Sequence, residues 1–318
     1  MLPNIDIIIV NWNAAHQLRE CLDSIVDSDR HSFSLDRVII VDNASTDRSL
    51  ESIQSIDLPI DLIRNLENKG FGVACNQGAA ISKSDYLLFL NPDTRLFKEA
   101  LDKAIDFIHG GSISKVGAVG IQLIDSQGHI QRNCARFPRP LNFWCSILGI
   151  DKILSNKFTS YLMTDWNHQN SQIVDHVMGA FYLIAGKTFR SVGGFDQDFF
   201  VYFEDLDLSY RLHQQGFSSY YLADIKSFHK GGGTSDSIKA TRVFYSIRSR
   251  ILYASKHFSW FNATTIFLAS LLIEPVTRIV FALLKLAPLQ VQETILAYRQ
   301  LCSHYKDTYQ STKHPSEK

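Results

Sequence analysis

Val38-Ile39-Ile40-Val41-Asp42-Asn43-Ala44-Ser45-Thr46-Asp47 decides the fold. Four β-branched residues, apolar on both strand faces, give way at once to a polar run, the pattern of a buried strand that ends in a turn. Compact runs of the same kind stand at residues 5–10, 60–63, 86–90 and 116–121. Between the first two strands Leu18, Leu22, Ile25 and Val26 share one helical face. Ser45 is expected to cap a second helix with Asp47 in its first turn, where an acid complements the helix dipole. Residues 70–82, rich in Gly and Ala, predict a helix whose backbone lies close to a neighbour. This β-α-β-α order predicts an α/β, doubly wound, mostly parallel sheet, which binds ligands at the carboxyl ends of its strands.

Outward from that core the regularity fades over residues 126–175, around Arg136-Phe137-Pro138-Arg139-Pro140. It returns at 174–185 and in a helical pattern over 204–215. Three segments follow: 1–125, the regular half of a domain; 126–238, the other half of the same domain; and 239–318, a basic, amphipathic helical C-terminal region.

With 45% hydrophobic and 20% charged residues among 318, the chain is globular and not disordered. Lys+Arg and Asp+Glu both count 32, which argues against a dedicated nucleic-acid binder. The balance hides an asymmetry, because residues 239–318 carry 11 Lys and Arg against 4 acids. The five cysteines are odd in number and scattered, without a C-x-x-C pair, so neither a disulfide framework nor a zinc cluster is expected. A reducing cytoplasm fits. The N-terminus reads as a strand, not a signal peptide.

Polar groups cluster where strands end. Asn11 and Asn13 follow the first strand, and Asp42 and Ser45 the second; such acids and amides can hold a base and a ribose, or simply make turns. Asn68-Lys69-Gly70 leads to Asn76, with glycines that allow close backbone approach but no Walker or G-x-G-x-x-G pattern. Asn91-Pro92-Asp93 ends a strongly apolar strand and could hold a divalent cation against a diphosphate. Glu204, Asp205 and Asp207 crowd after an aromatic stretch; Asp207 is expected to pair with Arg211 at i, i+4. Partial burial against that aromatic stretch would tune Glu204 or Asp205 as a general base. His229 precedes the loop Lys230-Gly231-Gly232-Gly233-Thr234-Ser235.

In order and spacing, these segments resemble family 2 glycosyltransferases of the GT-A fold, and within them the rhamnosyltransferase-type enzymes. The resemblance runs from Ile7 to about His257. It rests on Val41–Asp47, Asn68–Asn76, Leu90–Thr94, and the block from Val177 to Leu208. It implies that Asp42 contacts the base and that Asn11, Asn13, Ser45, Asn68, Gly70, Asn76 and Asn91 line the nucleotide-sugar site. It implies further that Asp93 and His229 face a divalent cation, Mg²⁺ or Mn²⁺, and that Glu204-Asp205 supplies the base, Asp205 first. Asn91 replaces the first acid of the family's D-x-D motif.

The expected activity is therefore an inverting, metal-dependent transfer of a sugar, L-rhamnose from dTDP-L-rhamnose, to a saccharide acceptor carried on a lipid. The alternatives are a UDP-sugar donor, a nucleotide-binding regulator without catalysis, and a nucleotidyltransferase. The tail bears on location. Its most apolar window, 265–289, is broken by Glu274, Pro275, Arg278 and Lys285, so it cannot supply the ~20 apolar residues of a spanning helix. A basic segment with an apolar face is expected to lie on the cytoplasmic membrane surface. The alternative is a helical subdomain or a dimer contact, with Phe267, Leu271 and Leu272 packed against protein.

Overall fold

The computed structural model describes residues 2–111, 114–153, 160–231 and 239–304. The chain divides into two compact units. The first comprises Met1–Arg136, Trp166–Gln197 and Glu204–Thr234. In chain order it contains β1 (Asn4–Asn11), α1 (His16–Val26), β2 (Ser34–Asp42), a 3₁₀ helix (Ser49–Ser55), β3 (Ile60–Arg64), α2 (Phe71–Ile81), β4 (Tyr86–Leu90), β5 (Thr94–Leu96), α3 (Ala100–His109), β6 (Val116–Ile124) and β7 (Cys134–Ala135). The elements of the second unit's first helices, α4 (Pro140–Ile147) and α5 (Ile150–Ile153), intervene. The first unit then resumes with β8 (Gln172–Val174), β9 (His176–Val177), β10 (Phe181–Ala185), α6 (Gly186–Ser191), α7 (Glu204–Gln214) and β11 (Ser218–His229).

Its main sheet runs β3-β2-β1-β4-β10-β6-β11-β5, with β8 beside β11. β3, β2, β1 and β4 are mutually parallel, whereas β10 runs against both β4 and β6. All five expected strands are present. β1, β2, β4 and β6 were legible because successive residues, and so both faces, are buried, whereas β3 is only partly buried. On one face Ile5, Ile7, Ile9, Val38 and Ile40 join one core, with Leu18, Cys21, Leu22 and Ile25 of α1 packed on it. Val26, the last member of the expected α1 face, is 40% exposed.

The helix expected from Ser45 is instead the short 3₁₀ helix from Ser49, and Ser45 does not cap it. Asp47 supplies the turn: its Oδ1 accepts from the Ser49 amide at 3.1 Å. The helix expected over 70–82 is α2, and its close approach is to the sheet. A Cβ on Gly78 would lie 2.8 Å from Ile8 Cγ2. Gly70, just before α2, has φ 88°, a left-handed conformation that favours glycine.

The second unit comprises Phe137–Asp165, Asp198–Phe203 and Ser235–Lys318. Beside α4 and α5 it holds α8 (Lys239–His257), α9 (Trp260–Leu272), α10 (Glu274–Leu284) and α11 (Pro288–Ser303). Phe244, Ile247 and Ile251 of α8 meet Ala297 and Leu301 of α11, and Phe267 and Leu271 of α9 pack on that cluster. Leu272 does not; it is 69% exposed. No single helix among the described residues is long and apolar enough to cross a membrane, and α9 and α10 are bent by 44° at their junction. Pro275 sits in the first turn of α10, where its missing N–H costs nothing.

Candidate active site

Register alone assembles the first corner. In the parallel ladder Asn11 lies opposite Asp42, so the polar residues that end β1 and β2 stand side by side. The Asn11 Nδ2 group donates within a ring of acceptors, Asp42 Oδ1 at 2.8 Å, Ser45 Oγ at 3.0 Å and Ser49 Oγ at 2.9 Å. Asn13 completes the corner. Its amide N–H donates to Ser45 Oγ at 3.0 Å, and its Oδ1 accepts from the Thr46 and Asp47 amides at 2.8 and 3.2 Å. Asp42 is buried and also accepts from the Ser45 amide at 3.2 Å. Asn43 donates to the Gly70 carbonyl at 3.1 Å, which ties this corner to the start of α2. Asn68 Oδ1 accepts from the Gly70 amide at 2.9 Å.

Asn76 is engaged elsewhere. Its Nδ2 donates to the Phe195 carbonyl at 2.7 Å and its Oδ1 accepts from the Phe195 amide at 2.9 Å. Both ends of the amide are spent on backbone 119 residues away, a clamp between α2 and the segment ahead of α7.

The second corner is the loop after β4. β5 pairs antiparallel with β11, setting His229 opposite Thr94. This brings His229 Nε2 to 3.4 Å from Asp93 Oδ1. Gln131 fixes the ring: its Nε2 donates to the His229 carbonyl at 2.7 Å, which turns its Oε1 toward Nδ1, also at 2.7 Å. Nδ1 then donates to Gln131 and Nε2 faces a carboxylate oxygen. A charged ring pairs there with Asp93, whereas a neutral ring and the carboxylate together offer two ligands to a cation, and imidazole oriented by such a partner is a common ligand arrangement. Two protein ligands suit a hard ion that takes its other oxygens from phosphate and water. No group of three or more His, Cys, Asp or Glu that could hold a metal occurs among the described residues. Asn91, partly exposed, spans the loop through its backbone: its amide donates to the Ala180 carbonyl and its carbonyl accepts from the Thr94 amide, both at 3.1 Å. Gly232, Gly233, Thr234 and Ser235 of the glycine loop lie outside the described residues, as does the chain from 305 onward.

The third corner is the start of α7. Asp205 Oδ2 accepts from the Gly179 amide at 2.8 Å, its Oδ1 from the Leu206 amide at 2.8 Å, and 19% of its side chain is exposed. Glu204 faces inward. A Cβ on Gly72 of α2 would lie 3.6 Å from Glu204 Cβ, and its Oε2 is buried with no partner among the described residues. Burial first, and the Asp205 charge second, push the Glu204 carboxyl well above its ordinary value of 4.5. The two neighbours are thus placed differently: Glu204 favours its neutral form, while Asp205 accepts from two backbone N–H groups and leaves part of its side chain exposed. Asp207 pairs with Arg211 at 2.7 Å, as the i, i+4 spacing predicts. Arg211 also donates to the Val192 and Gly194 carbonyls, at 2.7 and 2.8 Å.

Two residues of this site carried no signal in the sequence. Gln131 sits 98 positions from His229 in an irregular stretch. His176 is a lone histidine in a strand-like run, yet it lies 3.7 Å from Asp205.

The glycosyl transferase family 2 model matches residues 6–143, the stretch that builds the first corner and the Asp93 loop. Residues 6–143 belong to that family. An N-acetylglucosaminyl-diphospho-decaprenol L-rhamnosyltransferase of Mycobacterium tuberculosis is 22% identical over 280 residues, 83% of this chain and 88% of that protein. Rhamnosyltransferase WbbL of Escherichia coli K12 is 26% identical over 258 residues, covering 79% of this chain and 92% of its own. Among solved structures, the mannosyltransferase PcManGT of Pyrobaculum calidifontis, in complex with GDP-Man and Mn²⁺, superposes with a TM-score of 0.52 at 17% identity, over 99% of this chain and 87% of its own. GalNAc-T7 with UDP, GalNAc and Mn²⁺ gives 0.54 at 14%, covering 80% of this chain and 51% of that one. The fold is GT-A, residues 6–143 carry the family 2 glycosyltransferase match, and the relatives that span most of the chain are rhamnosyltransferases at modest identity.

Proposed function

We propose that this glycosyltransferase moves L-rhamnose from dTDP-L-rhamnose, with inversion, to a saccharide carried on a lipid diphosphate, with a divalent cation bound. One observation carries the reading. Gly179 donates to Asp205, and the next residue, Ala180, accepts from the Asn91 amide at 3.1 Å and from Thr94 Oγ1 at 3.3 Å. A two-residue segment therefore joins the base candidate to the loop that carries Asp93.

Asp42, Asn13 and Ser45 then hold the base and ribose at the ends of β1 and β2, braced by the fully buried Asn11, with Asn68 and Gly70 beside them. Asp93 and His229 hold the cation, which when bound offsets charge on the departing diphosphate. Asp205 takes the proton of the acceptor hydroxyl as its oxygen attacks the anomeric carbon opposite the diphosphate. The C1–O bond to phosphate breaks, and the nucleoside diphosphate leaves. Glu204, kept neutral by burial, is a poorer proton acceptor. Asn76 serves this site by fixing α2 rather than by touching the nucleotide.

Supporting the rhamnosyl donor are the relatives' named activities. Supporting a lipid acceptor at a membrane surface are exposed apolar side chains on the C-terminal helices and their connections, among them Trp260 at 81%, Leu284 at 75% and Leu286 at 89%. Within the same unit a cavity of about 520 Å³ is lined by Lys239, Arg278, Lys285 and Glu293 beside Phe281 and Leu289, an excess of cations against an apolar wall that suits a phosphate on a hydrocarbon chain.

Release of nucleoside diphosphate from dTDP-L-rhamnose, UDP-sugars and GDP-mannose, each with Mg²⁺ or Mn²⁺, tests the donor. Turnover of dTDP-L-rhamnose is expected; turnover of a UDP-sugar alone sinks the rhamnosyl assignment, and binding without turnover favours the regulator. His229→Ala is expected to weaken Mn²⁺ activation at least about tenfold. Co-sedimentation of the full chain with anionic vesicles at low salt tests the surface; protein left in the supernatant rejects it.

A further inference from the structure

His176, in β9, is buried to 4% exposure and does not belong to the hydrophobic core beside it. Two polar neighbours face its ring, and a third backs one of them. Ser209 Oγ of α7 is 3.0 Å from Nδ1, Tyr182 OH of β10 is 3.1 Å from the same Oγ, and Asp205 Oδ2 is 3.7 Å from Nε2. Asp175, next to it on the chain, adds a second negative charge to its surroundings.

The protons in this chain have one consistent direction. Tyr182 is fully buried, so its hydroxyl proton needs an acceptor, and Ser209 Oγ is the neighbour that offers one. The single Ser209 proton then goes to His176 Nδ1. That leaves the ring proton on Nε2, pointing at Asp205. The reverse direction would leave Tyr182 with an unplaced proton and set a bare ring nitrogen against a carboxylate, at a desolvation cost the observed packing gives no reason to carry.

We infer that His176 is a positioning residue for the transfer: Tyr182 and Ser209 fix its Nε2–H tautomer, and that N–H orients the Asp205 carboxylate toward the acceptor hydroxyl. Asp205 then accepts hydrogen bonds from the Gly179 and Leu206 amides, and the His176 N–H, 3.7 Å from Oδ2, biases the carboxylate electrostatically from a third side. Burial lowers the basicity of His176, with Asp205 and then Asp175 partly offsetting it, so the ring is a neutral donor near pH 7. The logic matches the outer partners that orient metal ligands and catalytic histidines elsewhere, here with histidine as the outer partner.

The kinetic consequence rests on the transferase reading; the tautomer does not. Ring-¹⁵N spectra of the full chain, with His176→Gln to assign the signal, should show Nε2 protonated and Nδ1 bare. A proton on Nδ1 overturns the inference whatever the enzyme's substrate. In turnover assays His176→Leu should lower kcat about 10–100-fold and His176→Gln, which keeps an N–H near Nε2, only about threefold, with donor KM unchanged in both. Equal losses in the two variants, or none, would make His176 a packing residue. Should His176→Leu fail to fold, Ser209→Ala decides: kcat falling about two- to tenfold at unchanged donor KM supports the inference, and wild-type kcat refutes it. Absence of turnover by the wild-type chain with every nucleotide sugar would reject the transferase reading and leave the spectra to judge the tautomer.

Discussion

Glu204 and Glu274 are each the first residue of an eleven-residue helix, α7 and α10, and each is buried, to 6% and 1% exposure. Their surroundings differ. Arg250 and Arg278 both bind the Glu274 carboxylate, Arg278 Nε at 2.8 Å, and Arg250 also donates to Ser270 Oγ at 3.1 Å. Burial pushes the Glu274 carboxyl up, but Arg250 and then Arg278 outweigh it and hold it below its ordinary value. Glu204 has no such partner for Oε2 and has another acid beside it, so the same burial drives it the other way. A buried acid that is paired belongs to the scaffold, here the joint between α9 and α10. A buried acid left unpaired beside a half-open one marks chemistry.

The largest effect that would sharpen this contrast is on rate. Asp205→Asn should lower kcat about 10²–10⁴-fold with donor binding unchanged, and Glu204→Gln should cost far less, because the amide resembles the neutral acid it replaces. A larger loss in Glu204→Gln would transfer the base role and break the assignment.

Next in size is stability. Arg250→Met strips a buried carboxylate of one partner and should cost about 3–5 kcal/mol in denaturant unfolding of the helical unit. The double variant Arg250→Met/Glu274→Leu should recover much of that loss. Glu204→Gln should leave stability at neutral pH unchanged or raised, since it removes a group that charging would destabilise.

The smallest effect is a pair of opposite pH slopes. Glu204 binds its proton more tightly folded than unfolded, so its contribution is present below 4.5 and lost as pH rises through the raised folded value. Glu274 is the reverse: its contribution is present above 4.5 and lost as pH falls through the depressed folded value. Melting temperatures followed across pH should flatten on the alkaline side in Glu204→Gln and on the acid side in Glu274→Gln. Matching slopes in the two variants would erase the distinction.

The sequence made the strands of the first unit readable because a parallel sheet buries both faces, as at Val38–Val41, and makes the polar break at Asp42 abrupt. Register then brought Asn11 to Asp42 without further information. The α2 helix was readable from Gly70 and its run of small residues, although the close neighbour at Gly78 proved to be Ile8. What could not be read depends on partners far along the chain. Asn76 gives no local sign that Phe195 will take both ends of its amide, nor His229 that Gln131 will hold its ring. The 3₁₀ helix replaced an expected α-helix because Ser45, the expected cap, is drawn to Asn11 and Asn13 instead. Likewise nothing in the sequence around Glu204 announces that it will face Gly72 and Cys75 of α2.

The orphaned state of Glu204 is the point on which the division of labour turns, and a carboxyl-¹³C titration of glutamate-labelled protein measures it directly, with Glu204→Gln identifying the signal. The account predicts a titration midpoint for Glu204 well above 4.5, with the neutral acid persisting where ordinary glutamates are charged. A midpoint at or below 4.5 would mean that Glu204 is a satisfied carboxylate like Glu274, and the assignment of Asp205 as the open partner of a neutral acid would fall.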